Sequence, residues 1–558
     1  MVVDYKDYSK GFRIAHRERR WGRYLLIPLA LAVLCAAVYI WVGHRLSTGR
    51  KQAEQGQLGD AEESFQFVKK LHIRGREAED GLGVLDLMRD DITAAQGHLL
   101  GGGRSVFDTP QLMASFTSRG LYAYAALYGE YAREWNRKPA VAVEYAAALA
   151  GLQKYGEAAQ ALADAGSAGD PALASRREAV RKALDASKKS GLFCYVADRA
   201  NTPLASYARG SAGPGGDVVL SGGLRVGEAL SSSDFHNHTL LNIDKEIQDA
   251  ASSSLGYAGA LVAIAPSTGE ILAAVSNPPP GDHSLNFAFE GRFEPGSIIK
   301  LLTLSAALRA DMDMGQILPF KCTGMLDCDG VWFYDWAIHR EVRDIEQATA
   351  ESCNVAFARM GIAVGREALK HEFELYGFGR ALSDHTPPMA LGQVEEKGAE
   401  KLHTAHLSVG LDDLTLTTLH GALIAAALAG DGVVMMPQLV REKRNILQEP
   451  YFRSQAAPLF STGLSSEDRR VIAGALNRVV GSEKGTGRRA AIEGFQFAMK
   501  TGTSGNREFG LDSVIIGFAP LQSPKIAFCL YAHGAGKAEL EGARIVREFL
   551  LRCKGRLQ

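Results

Sequence analysis

The chain has 558 residues and carries 62 Lys and Arg against 63 Asp and Glu, a formal net charge of −1. That balance excludes a nucleic-acid binder held by a clustered basic surplus, and 46% hydrophobic with 22% charged residues excludes a disordered polymer. Seven cysteines with no CxxC pair are too few for a disulfide scaffold and spell no zinc ribbon.

The first element is an uncharged run from Tyr24 to Gly43, YLLIPLALAVLCAAVYIWVG. About 20 apolar residues rising 1.5 Å each match the hydrocarbon layer of a bilayer. Trp21 and Tyr24 stand at one end of the run and Tyr39 and Trp41 at the other, as an interfacial aromatic belt requires. Residues 24–43 are therefore expected to form one transmembrane helix; the run is too long for a cleaved signal peptide. Lys6, Lys10, Arg13, Arg17, Arg19, Arg20 and Arg23 precede it and outnumber the basic residues just after it. Positive charge stays inside, so residues 1–23 are expected in the cytoplasm, and everything after Arg45 outside the inner membrane.

Residues 46–190 are alanine-rich with helical periodicity. Gly59 to Leu71 and Gly156 to Gly166 each give a small turn followed by an amphipathic helix. These fragments resemble tetratricopeptide-type units, which bury their faces by stacking; a plain helical bundle gives the same pattern. Residues 191–240 read as a short linker or pedestal, with RGSAGPGGD (Arg209 to Asp217) as an exposed loop. Beyond it, TLLNIDKEIQDAASSSL predicts a strand running into a helix. GALVAIAPSTGEILAAVSN predicts a hairpin around Pro266 to Gly269. A long stretch dominated by helices follows. FQFAMKTGT, SVIIGFAP and KIAFCLYAHG then read as three strands, and AELEGARIVREFLLRC as a closing helix. A sheet built from both ends of residues 241–558 with a helical insert between is an α+β domain, with a cleft where the layers meet.

Three motifs in this domain carry chemistry. In Ser297-Ile298-Ile299-Lys300, Pro295-Gly296 reads as a helix start and apolar residues then run almost all round, which predicts a buried helix. Positions i and i+3 share a face, so the Lys300 amine is expected to reach the Ser297 hydroxyl. Burial lowers the pKa of a lysine toward the range of a base, and a serine hydroxyl is a weak nucleophile until a base takes its proton. The second motif is Ser352-Cys353-Asn354, a pattern also present at Ser284-Leu285-Asn286 and Ser504-Gly505-Asn506. The third is Lys500-Thr501-Gly502-Thr503 at the end of the run FQFAM, where a glycine lets the backbone approach a ligand closely.

SxxK, then SxN, then KTG is the order found in penicillin-binding proteins and serine β-lactamases. With IDKEIQDAA, ALVAIAPSTGEILAAVSNP, FEPGSIIK, ATAESCNVAFARMG and GTGRRA, the stretch from Leu241 to Cys553 resembles the transpeptidase domain of penicillin-binding proteins. The resemblance implies the serine β-lactamase/penicillin-binding-protein transpeptidase fold, preceded here by one transmembrane helix and an all-α region. It implies that Ser297 attacks the penultimate D-alanine carbonyl of a peptidoglycan stem peptide and loses its proton to Lys300. Ser352 would relay a proton to the leaving amine, with Lys500 beside it. Asn354 would hold the substrate amide, and Thr501 and Thr503 its terminal carboxylate. The backbone N–H groups of Ser297 and Thr503 would form the oxyanion hole.

No metal or cofactor is implied. The expected partners are stem peptides, β-lactam antibiotics, the lipid bilayer and cell-wall synthesis proteins recruited by the helical region, with no nucleic acid. A β-lactamase or D,D-carboxypeptidase shares the motifs, and so does a non-catalytic β-lactam sensor or scaffold. The EDxxF signature of bifunctional members is absent from Arg45 to Lys189, so a monofunctional member is expected. Phe193 to Tyr207 faintly resembles the DRxGxxLA segment that opens class B members, followed by an unusually short pedestal. Gly410-Leu411-Asp412 stands where the family often has Gly-Gln-Gly.

Cys322 and Cys328 are close together in the exported part, where either a disulfide or two thiols fits the spacing. Cys353 reads as a small buried residue. His236 with His238 and His403 with His406 lack a third ligand at a recognisable spacing, so they read as surface or structural histidines.

Overall fold

The computed structural model describes residues 8–558 apart from 167–169, 191, 209–218, 227–237, 283–285, 383–386, 396–397, 399, 412–413 and 507–509. The Gly-rich loop expected at 209–217, His236 and Asp412 lie outside the described residues. The chain divides into two units, residues 1–190 with 445–449, and residues 191–444 with 450–558.

The first unit is helical. It opens with α1 (Tyr8–Glu54), of which Ala30–Glu54 is long and apolar enough to cross a membrane. Leu31, Val33, Leu34 and Ile40 are exposed on it, as side chains facing lipid would be. The helix does not stop at Gly43: Val42, Leu46 and Ala53 are buried in the core of the unit. Eight further helices follow, from Leu58–Lys70 to Pro171–Ser190. The alanine-rich helix Pro139–Gly151 is buried almost all round, with Val141, Ala146, Ala147, Ala148 and Ala150 in contact with neighbouring helices. Small side chains allow that close packing.

The second unit is built on five antiparallel strands, β1 (Gly259–Ile264), β2 (Ile271–Asn277), β3 (Ala498–Asn506), β4 (Gly510–Ala519) and β5 (Ile526–Ala532), in the order β3-β4-β5-β1-β2. Both predicted strand groups thus join one sheet, and the KTGT strand β3 forms an edge. Side chains alternate across the sheet. Along β1, Ala260, Val262 and Ile264 enter one core while Leu261 and Ala263 enter another.

Five helices matter here: α2 (Lys245–Ser254), α3 (Lys300–Arg309), α4 (Asn354–Val364), α5 (Thr418–Ala429) and α6 (Ala543–Leu557). α2 starts where the Asp244 side chain accepts from the N–H groups of Glu246 and Ile247, an N-cap. With α6 it covers one face of the sheet, through Ile247, Ile545, Phe549 and Leu550. α5 is apolar all round and buried from Thr418 to Leu428, packed on the other face. α3 and α4 join that same core.

The stretch expected as a short linker or pedestal at 191–240 contains paired strands. Leu192–Ala197, Pro203–Ala208 and His238–Leu241 are strands of a second five-stranded sheet, completed by Val440–Arg444 and Pro450–Arg453. Leu, Phe, Tyr and Val in the first strand favour extended pairing, and Asn201 takes the left-handed conformation needed at the connecting turn, with φ 65°.

Candidate active site

The SxxK segment differs locally from the α-helix expected. Gly296–Ile299 is a 3₁₀ turn that feeds α3 at Lys300. Three residues per turn eclipse positions i and i+3, so Ser297 and Lys300 project from the same side. Ser297 is half-buried, whereas Ile298, Ile299 and Lys300 are buried. The turn is held from behind by Gly410, whose carbonyl accepts from the Gly296 N–H at 3.1 Å. Gly410 has φ +80°, and a Cβ there would lie 2.1 Å from the Gly296 carbonyl oxygen. The residue that departs from the family turn at its next positions therefore still needs to be glycine.

Ser352 closes the helix Ile345–Ala350 and Cys353 caps α4, its sulfur accepting from the Ala356 N–H at 3.4 Å. Ser352 has φ 56°; a left-handed non-glycine residue costs about 1–3 kcal/mol and persists where its surroundings over-determine it. Those surroundings are two lysines. Lys300 Nζ donates to the Ser352 carbonyl at 2.7 Å, to Ser352 Oγ at 3.1 Å and to Asn354 Oδ1 at 2.6 Å. Lys500 Nζ donates to Ser352 Oγ at 2.9 Å and to the Thr501 carbonyl at 2.7 Å. Three acceptors saturate the Lys300 ammonium, and Ser297 Oγ is not among them. The expected direct Ser297–Lys300 hydrogen bond is thus replaced by a link from Lys300 to the SxN motif.

Both lysines are 0% exposed. Burial lowers Lys300 to about 8, opposed by the nearby Asp335 charge. Burial and then the Lys300 charge push Lys500 well below the ordinary lysine range. Burial alone would raise Asp335, but the neighbouring His339 ring, a hydrogen bond from the Val355 N–H and the Lys300 charge hold it at about 2. Asp335 is the fixed anion of the site.

The β3 edge supplies the opposite wall. Thr501 Oγ1 donates to Thr486 Oγ1 at 2.6 Å, and Thr503 Oγ1 accepts from the Ala538 N–H at 3.2 Å. A Cβ on Gly502 would sit 2.7 Å from the Pro295 carbonyl oxygen, so glycine here lets the edge strand lie against the nucleophile turn. Ser297, Ser352, Asn354, Thr501 and Thr503 line one cleft of about 400 Å³, with Lys300 and Lys500 buried beneath its floor and Gly502 turned toward the nucleophile segment. All eight sequence-selected residues converge on this cleft.

The cleft is also lined by residues outside the three motifs, Thr486, Asp335 and Trp336 among them. Thr486 lies within GTGRRA, a stretch noted only for its resemblance. Asp335 and Trp336 belong to no motif. Trp336 Nε1 donates to the Ser352 carbonyl at 3.2 Å, and the Lys537 ammonium lies 5.6 Å from its ring centre. Cys322 and Cys328 are both free thiols, and the sulfur near Cys322 is that of Cys353, at 3.8 Å. His403 and His406 lie on the helix Lys401–Leu407 and gather no third ligand among the described residues.

The family model for the penicillin binding protein transpeptidase domain matches residues 259–550, just over half of the chain. The chain is 28% identical over 377 residues to the peptidoglycan D,D-transpeptidase PbpA of Mycolicibacterium smegmatis, covering 57% of this chain and 73% of that one. It is 30% identical over 331 residues to the protein of the same name from Mycobacterium tuberculosis, covering 51% of this chain and 64% of that one. Among solved structures, the penicillin G acyl-enzyme complex of penicillin-binding protein A from M. tuberculosis shares the fold with a TM-score of 0.55 at 22% identity, over 65% of this chain and 100% of that one. The D,D-transpeptidase domain from Eggerthella lenta gives 0.55 at 23% identity, over 66% and 99%.

Proposed function

The chain belongs to the penicillin-binding protein transpeptidase family, and on that premise we propose that it is a membrane-anchored D,D-transpeptidase that cross-links peptidoglycan stem peptides and is acylated by β-lactams. The observation that carries this reading is the convergence of Ser297, Lys300, Ser352 and Lys500 at one cleft, with two buried ammonium groups on a single hydroxyl.

The steps follow from the chemistry of these groups. An unprotonated Lys300 amine, brought round from Asn354, accepts the Ser297 proton while Ser297 Oγ bonds to the carbonyl of the penultimate D-alanine. The backbone N–H groups of Ser297 and Thr503 receive the oxyanion. Collapse breaks the peptide bond, and the departing D-alanine amine takes a proton from the Ser352 hydroxyl, which regains one from Lys300, the proton first lost by Ser297; Lys500 stays beside Ser352 as an electrostatic partner. An ester on Ser297 remains. The amine of a neighbouring stem peptide then attacks that ester, and a new amide releases Ser297. Asn354 holds the substrate amide, and the hydroxyls of Thr501 and Thr503 receive its carboxylate. Water in place of the amine would make the same site a carboxypeptidase or, with a β-lactam, a β-lactamase.

α1 supports an anchor that passes once through the inner membrane, with the basic residues 1–23 in the cytoplasm and the second unit outside. The helical unit would engage cell-wall synthesis partners. The test is covalent labelling by a fluorescent penicillin, followed by its release. Stable labelling of the full chain that Ser297→Ala abolishes is the expected result. Labelling that survives the substitution overturns the nucleophile, and release within seconds shifts the activity to β-lactam hydrolysis.

A further inference from the structure

Beside the cleft, four side chains from three segments of the insert meet in the interior. Cys322 ends the strand Phe320–Cys322, Asp335 and His339 lie between the strands Val331–Tyr334 and Arg340–Val342, and Cys353 is the central residue of the SxN motif. The Sγ atoms of Cys322 and Cys353 are 3.8 Å apart, and Asp335 Oδ2 lies 3.2 Å from Cys353 Sγ and 3.8 Å from Cys322 Sγ. Zinc bound tetrahedrally to sulfur at about 2.3 Å and to oxygen at about 2.0–2.2 Å sets edges of roughly 3.8 Å between sulfurs and roughly 3.5 Å between sulfur and oxygen. The sulfur–sulfur separation matches its edge, and the two sulfur–oxygen separations, 3.2 and 3.8 Å, bracket the other.

His339 stands beside these three atoms and is the imidazole that an ion held by them would recruit as a fourth ligand. It is 8% exposed, and its Nε2 is buried with no hydrogen-bond partner, 3.4 Å from Asp335 Oδ1. Its Nδ1 faces Glu351 Oε2 at 3.3 Å. In the tautomer with the ring proton on Nδ1, toward Glu351, the Nε2 lone pair is available to an ion, the way an outer carboxylate orients a metal-binding histidine.

We propose that Cys322, Asp335, His339 and Cys353 form a binding site for one zinc-type divalent ion. On binding, each of the two thiols releases its proton to solvent as the sulfur lone pair bonds to the ion, and the carboxylate and neutral imidazole bind unchanged. The ion would tie the Ser352-Cys353-Asn354 segment to the connection that carries Trp336, and so fix the acceptors around Lys300. The site stands apart from the proposed activity, because metal content is read without substrate.

The full chain, purified in detergent with its thiols reduced, is analysed for metal by elemental mass spectrometry. One zinc per chain is expected. Glu351→Gln should weaken zinc binding by about 10–100-fold while leaving the ligands in place. Cobalt(II) added to the chelator-stripped protein should give thiolate-to-metal charge-transfer absorption that Cys322→Ser removes. Chelation should also slow penicillin labelling, and zinc should restore it. Sub-stoichiometric metal after zinc is added back, or a chain two hydrogens lighter with Cys322 cross-linked to Cys353, overturns the proposal.

Discussion

Lys300 and Lys500 donate to the same oxygen, the Ser352 hydroxyl, at 3.1 and 2.9 Å. Two ammonium groups held away from water on one acceptor repel each other, and each is easier to deprotonate for the presence of the other.

The first prediction concerns pH. Lys300 can act as a base only when neutral, and burial lowers it from 10.5 to about 8. Below that value the amine carries a proton and has no lone pair, so the acylation rate constant should rise about tenfold per pH unit up to about 8 and then level. The same depression leaves the unfolded chain holding more protons between about 8 and 10.5, so the contribution of Lys300 to stability rises with pH across that window. Stopped-flow labelling of the wild type and Lys300→Arg is the measurement. The arginine chain should lose roughly 10²-fold or more in rate, and a flat wild-type profile from pH 6 to 9 would remove Lys300 as the base.

Gly410→Ala tests the support of the nucleophile turn. The added methyl would stand 2.1 Å from the Gly296 carbonyl oxygen at φ +80°. A loss of about 1–3 kcal/mol in stability is expected, together with slower acylation, although no reacting group is touched. Thermal unfolding beside penicillin labelling reads both quantities.

Thr486→Val removes the hydroxyl that accepts from Thr501 Oγ1 at 2.6 Å. Thr501 is then free to rotate away from an incoming carboxylate. The second-order acylation constant should fall about tenfold, the worth of one hydrogen bond to a charged group, while the limiting rate at saturation stays near that of the wild type. A fall in the limiting rate alone would contradict carboxylate positioning.

Glu372→Ala probes the helical core away from the cleft. Glu372 is 1% exposed and takes hydrogen bonds from Arg309 Nε at 2.7 Å, from Arg309 Nη2 at 3.2 Å and from the Ser305 hydroxyl. Breaking a buried pair from one side costs about 3–5 kcal/mol. Arg309 keeps some access to water, so about 3 kcal/mol is expected, seen as a lowered denaturant midpoint.

The parts of the fold that were legible in the sequence are those in which one local pattern decides the outcome. Two apolar runs around Pro266 to Gly269 in GALVAIAPSTGEILAAVSN placed the β1–β2 hairpin, and the three late strands followed from apolar runs with turn residues between them. The 191–240 region was read as a linker because its strands find partners at Val440–Arg444, far along the chain, and its glycine-rich middle suggested an open segment. At the site, motif order selected eight residues, from Ser297 to Thr503, that gather at one cleft. Asp335, Trp336 and Thr486 escaped because their roles come from proximity in space: Asp335 lies thirty-five positions beyond Lys300, whose charge it balances. Spacing within one motif likewise suggested a Ser297–Lys300 bond, whereas the lysine head turns to acceptors brought in by α4.

α1 enters the core of its own unit through Val42, Leu46 and Ala53 without a break after the apolar run. A join with no swivel makes the helix a post rather than a leash. On the proposed anchoring, any tilt adopted within lipid passes undamped to the helices packed on its upper end. One extra residue in the apolar run would turn that whole assembly by about 100° around the post and lift it by about 1.5 Å, so the azimuth it shows to neighbours along the membrane is written into the length of the run.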